Sequence, residues 1–101
     1  DITEDVDFRG NRTLRGDIKN IGEARADFVK INFVFRMNWQ GSTKSLTAFV
    51  QGSNHVFPDS QIESDSSIEI GAVAGFELVI PPDFGQFIGY SYTIDWEQYD
   101  N

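Results

Sequence analysis

The feature that most constrains the fold is the alternation of apolar and polar residues from Val29 to Trp39. One parity is apolar throughout: Val29, Ile31, Phe33, Phe35, Met37 and Trp39. The other parity carries mostly polar or charged residues. Because successive side chains of a strand point to opposite faces, this period of two predicts a β-strand with one buried face. A helix would scatter the same residues around its circumference.

The same alternation recurs along the chain. Rows of this kind run over residues 14–18, 76–80 and 88–96, with a weaker row at 46–50 and short candidate edge strands near 6–8 and 68–70. Clusters of Gly, Asn, Asp, Ser and Pro separate the rows, as expected for turns, and no segment has a capped helical period. We therefore expect an antiparallel sandwich or barrel, with Phe33 and Phe35 in its core.

The length of the chain, 101 residues, predicts one domain. We expect its core strands within residues 12–97, and an N-terminal segment or edge strand at residues 1–11. The sequence begins at Asp1 without Met, which fits either a mature secreted fragment or a domain cut from a longer protein.

The charge distribution limits the classes of partner that the chain can bind. The formal net charge is −8, and residues 45–101 contain nine acids and no Lys or Arg. Such a surface repels phosphate backbones and anionic headgroups, so we expect no nucleic-acid binding and no direct membrane insertion. Solubility alone explains the charge, while attraction of cations or of a basic partner is the alternative.

Catalytic groups are sparse. The chain has no cysteine and a single histidine, His55, without a nucleophile motif beside it. The carboxylate pairs Glu63/Asp65 and Asp95/Glu97 have the residue types that glycoside hydrolysis uses, but a domain of this size has little room for the required cleft. We therefore expect a protein that is not an enzyme.

A calcium site is the one cofactor that the sequence suggests. The stretch "DSQIESDSS" offers the carboxylates of Asp59, Glu63 and Asp65 together with hydroxyl and carbonyl oxygens, which are the ligands that calcium prefers. The EF-hand spacing is absent, so an ordinary solvated loop is the favoured interpretation and a calcium site is the alternative.

Four aromatic residues lie at turns or near the C-terminal end: Trp39, which ends the row from Val29, and Phe57, Phe84 and Tyr99. Peripheral core is the favoured interpretation of each ring, and contact with a ligand or partner is the alternative. Three functions remain open on this basis: a protein-interaction module, a carbohydrate-binding module that stacks sugars on these rings, and a structural spacer domain.

The order of the rows resembles the FxLYD family of small immunoglobulin-like domains and, more loosely, the CARDB-type domains. The stretches that carry the resemblance are "LRGDIKNIG" (14–22), "FVKINFVFRMNWQG" (28–41), "IEIGAVAGFELVIP" (68–81) and "GYSYTIDW" (89–96). The chain departs from the family where Arg36 and Met37 replace the typical Tyr and Asp, and where Ile70 replaces the proline before Gly71.

The resemblance implies an all-β, immunoglobulin-like antiparallel sandwich of about seven strands. It also implies a non-catalytic, extracytoplasmic module of a bacterial or archaeal protein, secreted, periplasmic or on the cell surface. A protein is then the expected partner, within a surface or secreted assembly.

Overall fold

The computed structural model of the chain describes residues 2–57 and 61–98. This part of the chain forms strands and turns and contains no helix. The strands are β1 (Thr3–Val6), β2 (Arg12–Lys19), β3 (Asp27–Arg36), β4 (Thr43–Phe49), β5 (Ser53–Phe57), β6 (Ile62–Ser67), β7 (Val73–Val79) and β8 (Gly89–Glu97). The all-β prediction is confirmed, with eight strands rather than about seven.

Two three-stranded antiparallel sheets pack face to face. The first has the order β1-β2-β7 and the second the order β4-β3-β8. The chain passes to the second sheet after β2, returns to the first through the hairpin β5-β6, and crosses again after β7. This path pairs β2 with β7 and β3 with β8 in a β-sandwich. The hairpin β5-β6 forms a separate two-stranded sheet.

Aromatic rings fill the space between the sheets. Phe33 and Phe35 on β3 are completely buried, which confirms their predicted place in the core. The ring of Phe33 lies 5.9 Å from Phe76 of the opposite sheet and 5.8 Å from Tyr90. Phe84 packs edge-on against Phe35 at 5.0 Å and closes one end. Such pairs contribute about 0.5–1.5 kcal/mol each beyond the burial of their area.

β3 ends at Arg36, three residues before the end of its alternating row. The side-chain oxygen of Asn38 accepts hydrogen bonds from the backbone N–H groups of Gln40 and Ser42. Gly41 adopts a positive φ of 97°, which closes the turn. This local bonding takes the chain out of the strand before Trp39.

The hairpin β5-β6 corrects the expectation of a loop across "DSQIESDSS". Its second strand buries three serines, Ser64, Ser66 and Ser67, and exposes Glu63 and Asp65. A search for apolar alternation misses such a strand because its inward residues are polar. Ile68 makes only an isolated bridge with Ala26, and not the edge strand suggested near residues 68–70.

A buried polar cluster, here called the Asp27 junction, attaches this hairpin to β3. It consists of Arg25, Asp27, Ser64 and Ser67. The fully buried Asp27 accepts hydrogen bonds from the Ser67 hydroxyl (2.6 Å) and from Arg25 Nε (2.8 Å) and Nη2 (3.2 Å). The Ser64 and Ser67 hydroxyl oxygens lie 3.0 Å apart, within hydrogen-bond distance of each other. The hydrogen bond with Asp27 raises the pKa of the Arg25 guanidinium above its usual value.

A bulge lies directly after Asp27. The pairing of β3 with β8 shifts register between Asp27 and Lys30, and Phe28 between them has a positive φ of 51°. A left-handed conformation is unusual for a large side chain and costs about 1–2 kcal/mol. The Phe28 ring lies 6.1 Å from Phe57 at the end of β5.

Candidate functional site

The two lateral edges of the sandwich differ. β7 lies beside β4, so one edge has a strand from each sheet in contact. At the other edge, β8 pairs only with β3 in the described part of the chain. The facing strand, β1, is four residues long and covers β2 only from Arg12 to Arg15. Within residues 2–57 and 61–98, no strand therefore pairs on this side with Gly89 to Trp96 of β8 or with the last residues of β2.

An apolar cleft of about 300 Å³ opens between the sheets where β1 leaves β2 uncovered. Its floor includes the buried side chains of Val29 and Ile68. Ile18 of β2 and Ile94 of β8 line the cleft, and the exposed side chain of Trp96 stands at its mouth. A cleft with apolar walls is the kind of surface that binds apolar side chains.

The inward row of β8 is only partly covered. The sequence predicts Tyr90, Tyr92, Ile94 and Trp96 as one face of a strand, and the structure places Tyr90 and Ile94 against the core. Tyr92 and Trp96, however, remain 50% and 54% exposed, because no strand lies beyond β8 in the described residues. Alternation in the sequence shows on which face of the sheet a side chain lies. It does not show whether another strand lies beside its own.

We call this surface the open edge and define it as β8 together with the cleft residues Ile18 and Ile21. Ile21, in the turn after β2, is 89% exposed. Apolar surface of this extent beside an unpaired strand is uncommon unless another molecule covers it.

The open edge carries mainly negative charge. Asp95 and Glu97 lie on the outward parity of β8 and are exposed. Glu4 of β1 lies close enough to Tyr90 to act on its phenol: burial raises the pKa of Tyr90, and the charge of Glu4 raises it further. Lys19, at the end of β2, is the basic residue among those lining the cleft.

The aromatic residues singled out from sequence fall into different environments. Trp39 is 85% exposed, and the Arg36 guanidinium lies 5.8 Å from its ring. Phe57 and Phe84 are buried, which agrees with the peripheral-core interpretation and not with ligand contact: Phe57 packs on the start of β3, and Phe84 covers one end of the core. Tyr99 lies outside the described residues.

Two of the three suggested calcium ligands, Glu63 and Asp65, lie within the described residues. Glu63 and Asp65 point outward from β6, and Glu63 accepts a hydrogen bond from Asn54 at 2.6 Å. Asp59 lies outside the described residues. Within residues 2–57 and 61–98, no three potential metal-binding side chains cluster.

The single histidine has a structural neighbour. His55 Nε2 lies 2.6 Å from a carboxylate oxygen of Glu69, which ties β5 to the segment after β6. Both side chains are at least partly exposed, so the pair links two segments at the surface.

A second, shallower groove of about 440 Å³ crosses the outer face of the second sheet. Phe49, 54% exposed, and Lys30 line it on one side, and Asp95 lies on the other. Next to it, Thr47 donates a hydrogen bond to Asn32, whose amide donates to Asp95. This face combines one exposed ring with side chains that form hydrogen bonds.

The chain matches no protein-family model, no curated protein and no solved structure. None of the elements in the described residues is an apolar helix of membrane-spanning length.

Proposed function

We propose that this domain is a non-catalytic protein-interaction module that binds its partner at the open edge. The observation that carries the proposal is the strand β8: within the described residues, Gly89 to Trp96 pair with a strand on one side alone, next to half-exposed Tyr92 and Trp96. Unpaired strand edges are templates for pairing, and proteins normally shorten, charge or cover them. Here the edge is long and adjoins an apolar cleft, which suits a surface that a partner covers.

We also propose that the domain works outside the cytoplasm, as part of a secreted or cell-surface assembly. The resemblance to FxLYD-type domains supports this location. The lack of cysteine is compatible with it, because stability here comes from a packed core and hydrogen bonds rather than from disulfides.

The test is a binding screen with residue-level mapping. Peptides from a random library are selected on the domain, and their contacts are mapped by changes in backbone amide NMR signals. We expect selected peptides to perturb β8 and the turn at Ile21. Trp96→Ala should weaken binding at least tenfold, whereas the matched variant Trp39→Ala, at a turn outside the open edge, should leave it unchanged. Peptides that bind elsewhere, or a screen that selects none, would refute the proposal.

Carbohydrate binding is a second candidate, and the groove on the outer face of the second sheet favours it. An exposed ring next to amide, hydroxyl and carboxylate groups can stack on a sugar and form hydrogen bonds with its hydroxyls. The test is titration with an oligosaccharide panel, in which Phe49→Ala abolishes any binding. Equal binding by Phe49→Ala, or no response to the panel, would rule out this groove.

A further inference from the structure

We infer that the partner of the open edge is an extended segment that adds to β8 as a new strand, with apolar residues alternating with Lys or Arg. This inference rests on the proposed function and specifies the chemistry of the partner. It makes three demands on the surface: free backbone groups, room for apolar side chains, and opposite charge.

The backbone groups are provided by β8. Its pairing with β3 uses one side of the strand from Gly89 to Glu97. Alternate N–H and C=O groups on the other side can pair with an added strand, as in recognition by β-augmentation. The residues from Gly89 to Trp96, at about 3.3 Å each, give an edge of about 26 Å, so a complete partner strand has about eight residues.

Room for side chains is provided by the mismatch between the sheets. β1 stops opposite Arg15, so the inner side of an added strand faces the cleft between Ile18 and Ile94 instead of another strand. Apolar residues at every second position would enter that cleft and cover Tyr92 and Trp96. Each large aliphatic or aromatic side chain buried in this way favours binding, against the cost of ordering the segment.

Charge determines which residue types suit the outward positions of the added strand. The outward residues of an added strand would stand beside Asp95 and Glu97 of β8, so Lys or Arg there faces opposite charge. Two copies of this chain each carry −8, which opposes pairing of β8 with itself. A basic segment is therefore favoured over a second copy of the domain.

The experiment uses three synthetic peptides of equal length. The first alternates Val or Ile with Lys; the second has the same composition in an order without alternation; the third replaces every Lys by Glu. Binding is measured by calorimetry, and contacts are mapped by amide NMR signals and by hydrogen exchange of β8. We expect only the first peptide to bind tightly, at least tenfold better than the others, and to protect the β8 amides that face away from β3.

Two variants test the charge contribution. Asp95→Asn keeps the size of the side chain and should lower the affinity for the alternating basic peptide about threefold to tenfold, with a smaller effect in high salt. The matched variant Asp65→Asn removes an exposed acid from β6 and should leave affinity unchanged. Both are surface substitutions, so circular dichroism and thermal melting should show an intact fold.

The outcomes separate this inference from the proposed function. If library peptides bind at the open edge while the designed peptides do not bind, or bind without protecting β8 amides, the interaction module stands and strand addition is refuted. If the scrambled or acidic peptide binds equally well, the proposed partner chemistry is refuted. Concentration-dependent dimers with protected β8 amides in the absence of peptide would identify a second copy as the occupant and overturn the inference.

Discussion

The space between the two sheets and the Asp27 junction are both buried, but they are held together by different forces. In the first, Phe33 contacts rings from both sheets, and its stabilisation scales with the apolar area removed from water. In the second, Asp27 is fully buried and depends on donors at 2.6–3.2 Å from Ser67 and Arg25. The size of each side chain therefore matters most between the sheets, whereas the identity of each polar atom matters most in the Asp27 junction.

The largest expected effect comes from removing the central ring. Phe33→Ala should lower the free energy of unfolding by about 3–5 kcal/mol, because it deletes buried area and leaves a cavity among neighbouring rings. Phe49→Ala, a matched change at a half-exposed ring, should cost less than about 1 kcal/mol. Denaturant unfolding measures both. Similar losses for the two variants would show that the interlayer is not tightly packed.

A smaller effect is expected from a substitution in the Asp27 junction that leaves the side-chain volume nearly unchanged. Asp27→Asn should cost about 2 kcal/mol, because it removes the charge that Arg25 pairs with and leaves polar atoms poorly matched in a buried site. The control is Asp65→Asn on the exposed face of β6, which should be nearly neutral. Hydrogen exchange should show that Asp27→Asn opens the β5-β6 hairpin before the two main sheets. A neutral Asp27→Asn would remove the distinction between the two regions.

The smallest effect on stability is expected at alkaline pH, where Tyr90 loses its phenol proton. Burial raises the pKa of Tyr90 above its ordinary value of 10.0, with Glu4 adding to the shift. The unfolded chain then loses this proton first, so the stability that the neutral phenol contributes is complete below pH 10 and decreases as pH rises through the folded value. Stability measured from pH 9 upward should fall less steeply for Tyr90→Phe than for the parent chain. Equal slopes would contradict a buried phenol.

Much of the fold was predictable because most of its strands bury one apolar face. The row from Val29 to Phe35 predicts both a strand and its buried side, and the structure confirms both. The hairpin was not predictable in this way, because the residues that β6 buries, Ser64, Ser66 and Ser67, are polar, and Ser67 forms a hydrogen bond with Asp27. A period of two reports hydrophobicity, and a strand buried by hydrogen bonds carries no such signal.

The candidate site was less predictable than the fold. Alternation places Tyr92 and Trp96 on the inward side of β8, but their exposure depends on the length of β1 and on what lies beyond β8. These are properties of the assembled sheets. Trp39 was identified from its place beside a turn, whereas Phe57 and Phe84 show that an aromatic residue outside a row can still be core.

Asp95 and Glu97 give the open edge a second physical role. An unpaired strand with an apolar face is prone to associate with copies of itself, and charged residues along its outer parity oppose that association. The same two carboxylates would attract a basic segment under the proposed mode of binding. One set of charges would then discourage self-association and favour the intended partner, which is how specificity differs from affinity.

The left-handed residue in β3 has a consequence for how the sequence can change. Phe28 combines an unfavourable backbone angle with a ring that meets Phe57 across the boundary between sandwich and hairpin. Glycine would relax the backbone but delete the ring, and a β-branched residue would keep bulk while fitting the angle poorly. A residue that fits the backbone angle better at this position thus loses contact between the sandwich and the hairpin. A tolerated replacement there has to come with a compensating change on β5.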